Sequence, residues 1–290
     1  MPFELFKEVS TKYYDLRKVG DSTFPLEFLG YDRYRLTECD NPSYFGWHVK
    51  QYEYTLTIIN LYNDFVDGLY KLYLLDKIIA EYPLDRQDDL RHEFTRMILS
   101  FCLYKPNEFR NRVIFCGYQL GFYVKLFQGR NNINHLKEDN DINFKDFKRE
   151  CEQFSAYLRL VQSLGLLGTY NEEFKSKTDD YRNKSEHRLP PSLEMGNTDL
   201  VKTKKGLSDD TKMFLFFNSD SISGKELNLD KSFKNAFTVE FSPNPPLKTE
   251  NIIPILLEQG NSMKDAINKY WDLLLEQFEI CTQSSKEIID

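Results

Sequence analysis

Between residues 44 and 82 apolar side chains return every third or fourth position without interruption. Phe45, Val49, Tyr52, Leu56 and Ile59 fall at spacings of 4, 3, 4 and 3, and Ile58, Tyr62, Phe65, Leu69 and Leu72 continue on the neighbouring stripe. That period belongs to an amphipathic α-helix with a broad buried face. Pro83 ends it, and Asp85 is placed to cap a second helix running to about Tyr104. Pro106 predicts a kink or break before the next stripe, Phe109, Val113, Cys116, Leu120, Tyr123 and Phe127. Gly129 and the Asn-rich stretch to Asn143 read as a polar loop.

The helical period resumes over Phe144, Phe147, Cys151, Phe154, Leu158, Val161 and Leu164, with Gly165 and Gly168 signalling the end. Residues 170–187 are polar, anchored only by Phe174 and Tyr181, and predict a shorter, exposed helix closed by Pro190-Pro191. Met213–Phe217 and Ala236–Phe241 read as two short strands. A last helix follows through Met263, Ile267, Tyr270, Leu274 and Phe278, with a cap at Asn261-Ser262 and Asp265. The expected fold is therefore mainly α, an up-and-down helical bundle with a small β-hairpin excursion before the last helix. Its divisions are an N-terminal segment (1–43), a helical bundle (44–200), the β excursion with a Pro-rich loop (201–248), and a C-terminal helix packing on the bundle (249–290).

Composition narrows the possibilities. Phe and Tyr number 23 and 18 against four Ala, so the helices must draw on aromatic and Leu/Ile packing more than on intrinsic propensity. The N-terminus lacks an apolar h-region and no 18 apolar residues run together, which predicts a cytoplasmic protein without membrane contact. Five scattered cysteines, with no C-x-x-C, read as reduced thiols, most of them in the core. A net charge of −7 disfavours generic duplex DNA binding, which draws on many phosphate contacts. The stretch from Lys175 to Lys205 opposes that sign, with eight Lys/Arg against five acids. Phosphate-binding loops, dinucleotide fingerprints, nucleophile elbows and clustered metal ligands are all missing from the sequence, so no cofactor and no metal are expected.

Histidine is scarce, limited to His48, His92, His135 and His187. Three of the four follow an arginine closely, as Arg86/His92, Arg130/His135 and Arg182/His187. Requiring Asn directly after the Arg lowers the chance expectation to about 0.04 matches, and two segments still qualify. Arg130-Asn131 to His135 sits in the Asn-rich loop and reads as a surface turn. Arg86/His92 reads as a solvated first turn with Asp88 and Asp89. Arg182-Asn183-Lys184-Ser185-Glu186-His187 lies at a helix end inside the basic stretch and is stopped by tandem proline.

The segment Tyr181–Arg188 resembles the HEPN superfamily of helical-bundle proteins, many of which are ribonucleases, through its Arg, polar residue, then His pattern. The preceding long helices suit that resemblance. The chemistry suits the residues as well. RNA carries its own nucleophile, the 2′-OH, so cleavage to a 2′,3′-cyclic phosphate needs a base and a fixed positive charge, not a metal. The His187 imidazole fits the first role and the Arg182 guanidinium the second. Asn183 would hold a phosphate oxygen or orient His187, while Lys184 and Arg188 would steer the RNA backbone. A single imidazole leaves the 5′-oxygen without an acid, and the resemblance implies a homodimer whose two motifs line one cleft. It also implies a toxin–antitoxin or anti-phage setting, with an antitoxin or defence-system partner. Two other readings remain open: a non-catalytic module binding RNA or a nucleotide, and a protein-interaction scaffold with a large exposed apolar patch. At the residue level the plain alternative is an Arg182 ion pair with Asp179 or Glu186 beside a helix-terminal His187.

Overall fold

The computed structural model describes residues 3–34, 36, 44–138, 141–187, 190–196, 198–205 and 237–283. In chain order it contains α1 (Phe3–Val19), α2 (Phe45–Ile79), α3 (Leu84–Phe94), α4 (Arg96–Phe127), α5 (Phe144–Cys151) and α6 (Ala156–Leu164). Then come α7 (Glu172–Lys177), α8 (Tyr181–His187), the strands β1 (Thr198–Lys205) and β2 (Phe237–Asn244), and finally α9 (Thr249–Gln283). The chain is thus mainly helical, as its apolar periodicity requires.

The long helices α2, α4 and α9 pack on one another, α5 lies on α4, and α6 lies on α9. Aromatic rings fill the space between them. Trp47, Tyr62 and Phe65 of α2, Phe109, Tyr118 and Phe122 of α4, and Tyr270 of α9 are all essentially inaccessible. Trp47 Nε1 donates to Gln277 Oε1 at 3.2 Å, so the largest buried ring does not strand its polar atom. The broad buried face of α2 is the stripe through Ile58, Tyr62, Phe65, Leu69 and Leu72. The start of the other stripe faces outward instead, with Phe45, Val49 and Tyr52 all exposed.

Several boundaries differ from the sequence expectation. Residues 3–19 form a helix packed on α2, where only an N-terminal segment was expected. Pro83, and not Asp85, occupies the position before α3. The break in the next stretch falls at Thr95, and α4 runs on through Pro106. A proline removes one ladder hydrogen bond, but buried side chains on both flanks (Leu99, Cys102 and Leu103; Phe109 and Val113) hold the two halves in line. The break is fixed by Thr95, whose hydroxyl lies 2.7 Å from both the Arg91 carbonyl and Glu194 Oε1. Glu194 is fully buried with a left-handed backbone (φ 66°), and it also accepts hydrogen bonds from the hydroxyl and the backbone N–H of Thr249. Its carboxylate therefore starts α9 at Thr249, and that helix runs uninterrupted through the cap expected at Asn261-Ser262.

The helix expected over 144–164 is two helices, opened by a capping box between Asn143 and Asp146 and divided at residues 152–155. The one expected over 170–187 is also two, divided by Asp179 and Asp180 with φ of 49° and 52°. β2 overlaps the strand expected at 236–241 and pairs antiparallel with β1, from Thr198 opposite Asn244 to Lys205 opposite Phe237. The strand expected at Met213–Phe217 lies outside the described residues. Cys102, Cys116 and Cys151 are buried free thiols and Cys281 is buried as well, while Cys39 is outside the described residues. Among the described residues no helix is long and apolar enough to cross a membrane.

Candidate functional site

A helix of seven residues has too few hydrogen bonds to persist alone in water, so α8 depends on its anchors. Tyr181 is buried, with its ring edge-on to Tyr104 at 6.1 Å and its hydroxyl 3.3 Å from Ser100 Oγ. One turn on, Ser185 Oγ shares a hydrogen bond with the Tyr104 hydroxyl. Positions 181 and 185 thereby face α4, and Arg182 and Glu186 occupy the next face round. The left-handed Asp179 and Asp180 reverse the chain into α8, and Asp180 Oδ1 accepts from Asn183 Nδ2 at 2.9 Å.

Five residues of α-helix rotate Arg182 and His187 about 140° apart around the axis. They do not point at one another. Both reach Glu186, which lies between them: Arg182 Nη2 is 3.1 Å and His187 Nε2 3.9 Å from the same oxygen, Oε2. Arg182 Nη1 also donates to Asn183 Oδ1 at 3.2 Å. Asn183 therefore positions the guanidinium, and no contact links it to His187 among the described residues. The imidazole is 74% exposed and open to a ligand. Lys184 is turned the other way, its Nζ 2.5 Å from Asp179 Oδ2 and its side chain largely covered. Arg188 lies outside the described residues.

Of the expected set, then, Arg182 and Asn183 are in contact in the first turn of α8, His187 is its last residue and touches neither among the described residues, and Lys184 is engaged elsewhere. Glu186 is outside the expected machinery, but its ion pair with Arg182 beside a helix-terminal His187 is the plain alternative, and the structure forms that pair. Its position in Arg-x-x-x-Glu, four residues after the arginine, is the sequence signal for an in-helix ion pair. Among the described residues no group of three His, Cys, Asp or Glu side chains is placed to hold a metal ion.

The two other Arg–His pairs are differently placed. Arg86 is exposed, and His92 Nε2 lies 3.5 Å from Arg96 Nη1. Arg130 and His135 do belong to a surface turn, with His135 Nδ1 3.4 Å from Asn131 Oδ1. That turn, however, also lines a pocket of about 480 Å³ together with Lys125, Lys137 and Arg149. Compared with family models, curated proteins and solved structures, the chain matches none.

Proposed function

We propose that the protein is a metal-independent endoribonuclease of HEPN type, acting as a homodimer in the cytoplasm, with Arg182, Asn183 and His187 as its machinery. The observation that carries this reading is Glu186 Oε2, one anionic oxygen that takes the Arg182 guanidinium at 3.1 Å and has the His187 imidazole 3.9 Å away, outside hydrogen-bond reach. A phosphate oxygen has the same charge and accepts from the same guanidinium. Magnitudes favour the exchange. A half-exposed i,i+4 ion pair stabilises by about 0.3–0.5 kcal/mol, and by less when the arginine precedes the acid. A charged hydrogen bond to phosphate contributes about 1.5–3 kcal/mol.

With a phosphodiester in place of Glu186, His187 takes the proton of the 2′-OH as its oxygen attacks phosphorus. Arg182, held by Asn183, bears against the charge that gathers on the phosphorane. The bond to the 5′-oxygen then breaks, and that oxygen takes a proton from the partner subunit's His187, leaving a 2′,3′-cyclic phosphate. Lys184 and Arg188 are assigned to steering, Lys184 after release from Asp179. The toxin–antitoxin or anti-phage setting, with its antitoxin or defence partner, rests on the resemblance of residues 181–188.

The test is cleavage of single-stranded RNA in EDTA by the purified chain. His187→Ala is expected to lower the rate at least about 100-fold while the circular dichroism spectrum is unchanged, since the ring is exposed and packs against little. Full cleavage by His187→Ala would end the proposal, and binding without cleavage by the parent would replace it with a non-catalytic module. A protein-interaction module has an observation of its own in the exposed stripe Phe45, Val49 and Tyr52 on α2.

A further inference from the structure

We propose a second site, remote in sequence from α8: the pocket between the end of α4 and the last turn of α5 binds the phosphate of a ribonucleotide. Each wall is fixed by ordinary backbone chemistry. Gly129, with φ of 69°, ends α4 with its N–H on the Leu126 carbonyl at 3.0 Å and the Arg130 N–H on the Lys125 carbonyl at 2.8 Å. This paired termination sets where Arg130 leaves the helix. Lys137 is held on the opposite side by its backbone N–H, which donates to the hydroxyl of buried Tyr118 at 3.1 Å. The capping box of Asn143 and Asp146 sets the first turn of α5, and so the positions of Arg149 and Glu150.

Charge collects there against the sign of the whole chain. Lys125, Arg130, Lys137 and Arg149 line the pocket with His135, and only Glu150 among the lining residues is acidic. Lys137 and Arg149 share Asp146, and Lys125 and Arg149 share Glu150. Four cations thus face two carboxylates, and among the described residues no ion pair engages Arg130. In a protein of net charge −7 this is a local excess aimed into a concave space, the arrangement that concentrates anions. Arg130 and Arg149 bring planar forks suited to phosphate oxygens.

Two further features select a ribonucleotide over a bare anion. Glu150 is 2% exposed, and its Oε2 lacks a hydrogen-bond partner, with Lys125 Nζ no closer than 3.4 Å. The Glu150 carboxylate lines the pocket and is the acceptor there for a donor on the ligand, such as a ribose hydroxyl. Lys137 also borders an adjoining groove of about 500 Å³ whose lining includes Tyr54, Phe115, Tyr123 and the Gln119 amide. A base seated there, beside these aromatic side chains, lies one side chain away from the phosphate pocket.

The experiment is calorimetric titration of the full chain with AMP, adenosine and inorganic phosphate. AMP is expected to bind at least about 10-fold more tightly than either adenosine or phosphate. Arg130→Ala, which breaks no ion pair among the described residues, is expected to weaken AMP at least about 10-fold with the melting temperature unchanged. The source of the nucleotide is decided by a 5′-phosphorylated trinucleotide set against AMP. Tighter binding of the trinucleotide assigns an RNA end, tighter binding of AMP assigns a free nucleotide, and either order upholds the site. No AMP binding at millimolar concentration, equal binding by Arg130→Ala, or equal binding of adenosine would each overturn it.

Discussion

Two glutamates show how placement divides one chemistry into two roles. Glu194 has no exposed surface and accepts from Thr95 and Thr249, so its carboxylate is a structural joint between the α3–α4 corner and the start of α9. Glu186 is exposed, and among the described residues its ion pairs stay within its own short helix. On the ribonuclease reading it competes with the substrate phosphate for Arg182. Glu186→Ala is therefore expected to lower the KM for RNA about 2–5-fold, with stability unchanged within about 0.5 kcal/mol. Steady-state cleavage kinetics check it, and a rise in KM would show that the carboxylate belongs to the site, contrary to the proposal.

At the scale of elements, the approach of α5 to α4 depends on two glycines one turn apart. The Phe147 ring covers Gly117, and a Cβ on Gly121 would lie 3.0 Å from the Glu150 carbonyl oxygen and 2.8 Å from Cys151 Sγ. Backbone cannot give way as a flexible side chain does. Gly121→Ala is expected to cost about 1–3 kcal/mol in urea denaturation, and to weaken AMP binding because it shifts Arg149 and Glu150 with their helix. Gly46→Ala is the matched control. Nothing lies within 4 Å of its added Cβ, so the same change is expected to be neutral or stabilising by up to about 1 kcal/mol. Equal losses at both positions would contradict the close approach.

At the scale of the whole molecule, the proposed nuclease is incomplete as one protomer, because α8 carries a single imidazole and the reaction moves two protons. A composite cleft gives a quantitative expectation. After subunit exchange, an equal amount of His187→Ala protein is expected to lower the activity of a fixed amount of the parent to about one half. A self-sufficient protomer would keep its full activity. The phosphate pocket makes no such demand, since α4, α5 and the turn between them belong to one chain, and its titration is expected to be the same at any protein concentration.

The sequence alone determined the helical class, the aromatic character of the core and the presence of an Arg–Asn–His segment on a short polar helix. Each is written in local order: a period of 3.6, a scarcity of alanine, an Arg–Asn–His spacing. The helix boundaries at Pro106 and Asn261 were not legible, because local breakers there are overruled by burial on both flanks and by a cap contributed from Glu194, far away in sequence. Nor was the worth of the second Arg–His pair legible. In sequence it is a polar turn. In three dimensions Lys125, Lys137 and Arg149 come to stand around it from separate segments, and charge at a point in space depends on distance through the fold, not on separation along the chain.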